Sequence, residues 1–460
     1  MRTFSRRELL ARAAAGAGVL PLATLTAAPP VKRRPNIVMI LSDDQGYGDL
    51  GCYGAKDLRT PVTDRLADQG VRFTQYYAAA PECSPTRTAL LTGRYLQRVG
   101  GLECAIGVGN VGRYDDAIRL AGRHDLGLPS ELATLPRALR AAGYATAVYG
   151  KWHLGYEEKF RPSRCGFDQF VGVLGGNCDY FHHCENDGLH VLYEDDKPLH
   201  REGTYLTDLI ADQAAGFLKP QKGDKPFFLY VPFTAPHSPY QGPGDRRPQR
   251  LGEQEWEKGT RAKYVEMVEH LDACVGRILA ALEASGQADN TLVIFASDNG
   301  GNKMGSNVPF AGHKSGLYEG GIRVPCIARW PGILPAGRTS SQPSITMDLT
   351  ASMLAAAGAI APPELPLEGV DILDHVRSAA TDRARTLFWR ARRGQRTWRA
   401  VRDGNLKYLT RQDGDKIEQH LFDLAADPAE KTDLLADRPA DADRLRSLLT
   451  KWEQEAKPRR

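Results

Sequence analysis

Ile37-Val38-Met39-Ile40-Leu41 runs without a break into Ser42-Asp43-Asp44. Five apolar residues in a row do not suit a half-exposed strand, whose side chains alternate between core and water. They read as a strand buried on both faces, ending in two carboxylates. Three more segments repeat the pattern. Ala145-Thr146-Ala147-Val148-Tyr149 leads into Gly150-Lys151-Trp152-His153, Phe227-Phe228-Leu229-Tyr230-Val231 leads towards His237, and Leu292-Val293-Ile294-Phe295-Ala296 leads into Ser297-Asp298-Asn299. Helical segments lie between them. One spans 134–142 and ends at Gly143; another spans 263–285 and lines Val265, Val268, Leu271, Val275, Ile278, Leu279 and Leu282 along one face. Strands alternating with helices predict an α/β sandwich with a large, mostly parallel central sheet flanked by helices. Sites in such sheets form beyond the carboxyl ends of the strands, and all four polar clusters fall there.

Near residue 380 the character changes. Trp398–Arg402 and Leu406–Leu409 flank Asp403-Gly404-Asn405 as a hairpin, 420–424 reads as a further strand, and a last helix runs through Arg444 to Glu455. The expected organisation is a catalytic domain over 35–380 and a small C-terminal antiparallel domain with a terminal helix over 385–455. A chain of 460 residues is long enough for both.

The net charge of +4 is misleading, because residues 1–34 hold seven Arg and Lys against Glu8 alone. That stretch carries +6 and leaves the remainder near −2, so no nucleic-acid partner is expected. Ser5-Arg6-Arg7-Glu8-Leu9-Leu10 precedes a soft Ala-rich run broken by Pro21. Residues 1–28 therefore read as a twin-arginine-type signal peptide rather than a stable membrane span. This predicts use of the export machinery and a periplasmic or extracellular location. The eight cysteines show no zinc spacing, although Cys178 and Cys184 could bridge a short loop in an oxidising compartment.

Cys83-Ser84-Pro85-Thr86-Arg87 is followed by Thr88-Ala89-Leu90-Leu91-Thr92-Gly93-Arg94. Pro85 suits the first turn of a helix and Gly93 its end. Cys83 then sits at a helix N-terminus, where backbone N–H groups favour an anion, and Arg87 lies one turn on. Asp43, Asp44, Asp298 and Asn299 are hard oxygen ligands that suit calcium, magnesium less so, and zinc or copper poorly.

The Cys-x-Pro-x-Arg pattern with its trailing Leu-Thr-Gly-Arg resembles the signature of the type I, formylglycine-dependent sulfatases of the alkaline phosphatase-like superfamily. The likeness extends to Gly150-Lys151-Trp152-His153, Pro236-His237, Gly312-His313-Lys314, Trp330-Pro331-Gly332 and Leu421-Phe422-Asp423-Leu424. It implies hydrolysis of sulfate esters. Cys83 would be oxidised to formylglycine by a formylglycine-generating enzyme or an anaerobic sulfatase-maturating enzyme. The hydrated aldehyde would attack sulfur and later expel sulfate by C–O cleavage, dividing one hard step into two. The resemblance implies that Asp43, Asp44, residue 83, Asp298 and Asn299 bind Ca²⁺. It gives Lys151 as a sulfate clamp, His153 as the base on the second hydroxyl, Asp298 as a proton acceptor, and His237 or Lys314 as the donor to the leaving oxygen; Arg87, one turn from Cys83, is the fixed cation that with the helix N-terminus makes an oxyanion pocket.

The overall look is closest to bacterial glycan sulfatases and to N-acetylgalactosamine-6-sulfatase-like members, which implies a sulfated carbohydrate substrate. Segments 101–128 and 175–190 are expected to shape the leaving-group pocket, the second through Asn177, Asp179, Tyr180, His182 and His183. Two other readings remain open: a phosphonate or phosphate monoester hydrolase on the same fold, and a non-catalytic sugar-binding protein, which would have lost some of the catalytic set.

Overall fold

The computed structural model describes residues 33–361, except 222 and 224, and residues 366–458. The expected signal peptide, residues 1–28, lies outside them. Strands are numbered in chain order. The first half contains β1 (Asn36–Ser42), β2 (Val71–Phe73), β3 (Tyr76–Tyr77), β4 (Ala145–Lys151), β5 (Gln169–Val173), β6 (Leu192–Glu194) and β7 (Lys197–Pro198). Then come β8 (Phe227–Pro232), β9 (Thr291–Ser297), β10 (Cys326–Arg329), β11 (Arg338–Ser340) and β12 (Ser344–Ile345). The last four are β13 (Thr386–Arg393), β14 (Arg396–Asp403), β15 (Leu406–Asp413) and β16 (Lys416–Asp423).

Ten strands form the main sheet in the order β11-β2-β10-β9-β1-β8-β4-β5-β6-β7. Its centre, β9-β1-β8-β4-β5, is parallel, while β10 and β6 run opposite to it at the flanks and β7 pairs antiparallel with β6. The period-two alternation of a strand explains why the central runs are apolar throughout. Ile37, Met39, Leu41, Phe228, Tyr230, Leu292 and Ile294 enter one core with helices Cys83–Thr92, Leu135–Ala141 and Thr346–Ala357. Val38, Ile40, Phe227, Leu229, Val293 and Phe295 enter the other, with helices Leu206–Leu218 and Arg261–Ala284. The expected α/β sandwich is the fold observed. The helix read as 263–285 spans Arg261–Ala284, with Thr260 capping its start through Lys263 N–H.

β13 to β16 form a separate antiparallel meander. Gly394, Gly404 and Gly414 open its three two-residue turns with φ near +60°, as a type II′ hairpin requires. Helix Pro439–Glu455 covers one face, with Trp452 stacked on Phe388 at 5.2 Å between ring centroids. The small sheet shares a core with Tyr77, Ala79, Ala89 and Leu96 beside helix Cys83–Thr92. Trp389 Nε1–H donates to Ala78 O at 2.8 Å. Lys407, with no exposed surface, lies between Glu319 at 2.9 Å and Glu430 at 2.8 Å. Glu430 also accepts from Glu319 N–H, which fixes the chain just beyond Lys314.

All eight cysteines are free thiols, so the bridge considered for Cys178 and Cys184 is absent. Backbone hydrogen bonds close that loop instead, from Asp179 N–H to Cys184 O and from His183 N–H to Asp179 O, each at 2.9 Å.

Replacing Lys407 by Met removes the cation that two buried carboxylates share and leaves Glu319 with Arg323 at 3.3 Å and, among the described residues, Glu430 with none in its place. Denaturant titration is expected to show a loss of about 3–5 kcal/mol. Equal midpoints for Lys407→Met and wild type would contradict the pairing.

Candidate active site

In the sheet, Ser42 pairs with Ser297 and Leu41 with Pro232. The central strands therefore end level, and the polar residues after them meet at one edge. Asp298 N–H donates to Ser42 O at 3.2 Å and Asp43 N–H to Ala235 O at 3.1 Å, so the loops are stitched together immediately beyond the strands. Asp44 and His153 hold left-handed backbone, with φ of 63° and 57°. For residues with a Cβ that conformation costs on the order of 1–2 kcal/mol, and such outliers concentrate at working sites.

The helix that carries the thiol begins at Cys83 itself and ends at Gly93, whose φ is 67°. All ten of its residues are buried. Cys83 Sγ–H donates to Asp43 Oδ1 at 3.4 Å, and Lys314 Nζ lies 3.7 Å from Sγ. Burial pushes the thiol up, but Lys151 and Lys314 more than offset this and bring it down to about 6. Arg87 is fully buried one turn along. It does not face the cavity but reaches back to Asp298 Oδ2 through Nε (3.1 Å) and Nη2 (2.7 Å), and to Lys151 O at 3.0 Å.

Three buried carboxylates face three cations. Lys151 holds Asp43 at 2.5 Å, Lys314 holds Asp44 at 2.7 Å and Arg87 holds Asp298 at 2.7 Å. Burial and the neighbouring Asp43 still push Asp298 up to about 6. Asn299 Nδ2–H donates to Asp44 Oδ1 at 2.8 Å, which leaves Asn299 Oδ1 buried with no partner. An orphaned carbonyl oxygen beside crowded carboxylates is the donor set that a hard divalent cation satisfies, so the residues present fit one. Asp43, Asp44, Cys83 and His237 bring ligand atoms within 4.8 Å of one another.

His237 lines the cavity beside Lys314. Its Nδ1–H donates to Ser238 O at 2.7 Å, and Nε2 accepts from Lys314 Nζ at 2.9 Å. His153 is oriented the other way round. Nε2–H donates to Ile106 O at 2.8 Å, and Nδ1 is buried without a partner. Burial, with Lys151 next in effect, holds His153 well below the usual imidazole range, so that Nδ1 is a free lone pair.

A cavity of about 540 Å³ opens above these groups. Asp44, Cys83, His153, His237 and Lys314 line it, whereas Asp43, Arg87, Lys151, Asp298 and Asn299 lie buried beneath. Segments 105–108 and 176–177 contribute walls. Of the residues expected to meet a sugar, Asn177 alone lines this cavity. Asp179 is buried and accepts from Phe181, His182 and Leu251 N–H groups, which makes it a loop organiser. His182 and His183 line a separate cavity with His190 and His200, because the loop turns them away. Reasoning from sequence missed Asn302, whose Nδ2–H reaches Asp44 Oδ2 at 3.1 Å, although the run Asp298-Asn299-Gly300-Gly301-Asn302 offered a cue. Arg113 and Glu185 line the cavity from within the segments 101–128 and 175–190 expected to shape the pocket, without having been singled out, whereas Tyr156 and Arg393 were missed, because no local motif marks them.

Glu185 is buried in the cavity wall and accepts from Tyr156 OH at 2.5 Å. Burial pushes it up to about 7, above its unfolded value. The folded protein thus binds the extra proton, and this contribution to stability is lost as pH rises through about 7. Glu185→Gln is expected to flatten that fall. Unfolding midpoints measured between pH 4.5 and 8 would refute this if the variant and wild type ran parallel.

A family model described as Sulfatase matches residues 35–359, more than half of the chain. Dog N-acetylgalactosamine-6-sulfatase is 36% identical over 386 residues, which cover 80% of this chain and 69% of that protein. Mouse steryl-sulfatase is 34% identical over 454 residues, with 81% and 70% covered. The crystal structure of Ps i-CgsB, also solved in complex with k-i-k-neocarrahexaose, is similar at a TM-score of 0.80 and 30% identity, covering 91% of this chain and 93% of that chain. With the buried carboxylates, the helix-borne Cys83 and the paired His237 and Lys314 in one place, the chain belongs to the sulfatase family and is a sulfuric ester hydrolase.

Proposed function

We propose that the enzyme removes O-sulfate groups from carbohydrates, using a formylglycine made from Cys83 and a bound calcium ion. The observation that carries this reading is the position of Cys83. It opens a helix at the floor of a polar cavity, with Asp43 and Lys314 against its sulfur. Cys83 is 1% exposed, which supports its oxidation before the chain folds, by a formylglycine-generating enzyme or an anaerobic sulfatase-maturating enzyme. Ps i-CgsB in complex with k-i-k-neocarrahexaose and the N-acetylgalactosamine-6-sulfatases support a carbohydrate substrate. The twin-arginine reading of residues 1–28 supports export. No helix among the described residues is long and apolar enough to cross a membrane.

When present, the hydrated aldehyde supplies an oxygen nucleophile and the divalent ion a fixed positive charge beside it. Asp43, Asp44, Asp298 and the free Oδ1 of Asn299 would hold the ion; calcium suits this hard oxygen set better than magnesium, whose octahedral demand is stricter. The chain's own groups divide the proton work. Asp298 is assigned the first proton from a hydroxyl at position 83. His153 Nδ1 is the free acceptor for the second, because Ile106 O fixes its ring. Arg87 keeps the Asp298 carboxylate in place from below. On the opposite side, Lys314 Nζ and His237 Nε2 share a hydrogen bond at 2.9 Å, so the pair delivers one proton to the departing sugar oxygen. A sugar alkoxide is a poor leaving group, and positioned acid is what it needs.

The direct test is mass analysis of the peptide containing Cys83 in active protein, where –CH₂–SH is expected to be replaced by –CHO. A fully active preparation with an intact thiol would overturn the reading. Purified enzyme should also release sulfate from defined sulfated glycans faster than it cleaves phosphonate esters. The opposite order would favour the phosphonate hydrolase alternative. His237→Ala should lower kcat by about 10²–10⁴-fold. Unchanged turnover in a folded His237→Ala protein would remove the acid assignment.

A further inference from the structure

A second cavity lies beside the first, formed by the β13–β14 hairpin. The two share Glu82, Ser315 and Arg393 as lining residues. Glu82 directly precedes Cys83, and Arg393 reaches it at 3.2 Å, so the far sheet touches the residue next to the nucleophile. The hairpin is held in place here. Arg390 grips Glu103 through two hydrogen bonds, Arg392 N–H donates to Glu103 O at 3.2 Å, and Gly394 N–H donates to Arg113 O.

The charges in this cavity do not balance. Arg392, Arg393 and Arg396 face Glu82 and Asp413. Both carboxylates are already engaged: Glu82 also accepts from Ala105 N–H and Ser315 OH, and Asp413 is shared by Arg396 and Arg411. The nearest carboxylate to Arg392 is Glu103 at 3.8 Å, which Arg390 already holds. Around the corner, no carboxylate among the described residues pairs with Arg113. Trp398 lines the same cavity, steadied by Tyr318 at 6.0 Å and Arg411 at 5.5 Å, and its Nε1–H is buried with no acceptor. Spare guanidinium groups beside an aromatic face with an unused donor describe a place for an anionic sugar.

We infer that the hairpin cavity is a second binding subsite, which takes the neighbouring anionic unit of the glycan whose sulfate is cleaved. This rests on the glycan sulfatase reading given above. The anion itself is a sulfate or a carboxylate; both make the same paired hydrogen bonds with arginine. The enzyme then selects chains over lone sulfated monosaccharides, and the small C-terminal sheet is part of its specificity.

The test compares binding to the Cys83→Ala protein by calorimetry, alongside turnover by the mature enzyme. The probes are N-acetylgalactosamine 6-sulfate, a chondroitin 6-sulfate tetrasaccharide for the carboxylate arm and a carrageenan tetrasaccharide for the sulfate arm. At least one tetrasaccharide should bind about tenfold tighter than the monosaccharide, with the gap narrowing as salt is raised. The Arg392→Gln/Arg396→Gln double variant should reduce that ratio to within about twofold, since exposed arginine contributes there mainly through charge. Trp398→Phe, which keeps one aromatic ring but loses the N–H and part of the ring face, should lower it by a smaller factor. Equal affinity for all three probes would overturn the inference, as would a ratio untouched by the double variant. Either result leaves sulfate release from the monosaccharide intact as evidence for the sulfatase reading. Conversely, a protein that cleaves no sulfate ester fails that reading while the binding ratio still reports on the subsite.

Discussion

The structure depends on keeping three carboxylates ionised where water cannot reach them. Asp43, Asp44 and Asp298 each have at most 1% of their surface exposed. Isolated, each would take up a proton rather than stay charged. Lys151, Lys314 and Arg87 oppose this, and each comes from a different part of the chain: the end of β4, the loop after β9 and the helix that begins at Cys83. The network can close only when the parallel strands end level and the helix is seated. Site assembly and fold completion are therefore the same event. This also explains why so much of the set lies below the cavity. Arg87 and Lys151 stabilise the carboxylates from behind and leave the open face to Cys83, His153, His237 and Lys314.

The small sheet takes part in this assembly. Lys407 joins Glu319 and Glu430 in a second buried ionic cluster, and Glu319 starts the short helix that follows the Lys314 loop. Buried pairs of this kind add little net stability over apolar packing, yet removing one member is costly. Their effect is to fix one arrangement. Here the fixed arrangement sets the distance between the sheet formed by residues 386–423 and the Lys314 loop that precedes it in the chain. The hairpin carrying Arg393 then meets the cavity beside Glu82.

Most of this was legible in the sequence for a physical reason. Continuous apolar runs such as Ile37–Leu41 require burial on both faces, which fixes a central parallel sheet, and the polar residues after each run have only one edge to occupy. The helix at Cys83 announced itself through Pro85 and Gly93. What stayed hidden depends on contacts between distant segments. Arg393 sits in an Arg-rich strand whose pattern, Arg390-Ala391-Arg392-Arg393, resembles any solvated edge. Asp179 and the histidines beside it had the composition of a sugar site, but composition does not say which way a loop turns. Asp179 accepts three backbone N–H groups, and that organising role pulls the loop away from the cavity.

Charge counting connects the buried network to the choice of ester. Three carboxylates against Arg87, Lys151 and Lys314 sum to zero. On the proposed reading, a divalent ion adds two positive charges and an ionised oxygen at position 83 removes one. The site then holds a surplus of one, which a sulfate monoester matches with its single negative charge. A phosphate monoester dianion would leave a charge unbalanced in a region where ionised groups are almost wholly buried, and such a mismatch is costly. A phosphonate monoester carries one charge like the sulfate, so this balance does not separate those two. That choice falls to the groups around the leaving oxygen and beyond it. There the cavity wall supplies Asn177, Arg113 and Arg393, polar groups suited to a hydroxylated and charged leaving group. The buried network thus favours a singly charged ester over a dianion, and on the proposed reading the groups around the leaving oxygen select what that ester is attached to.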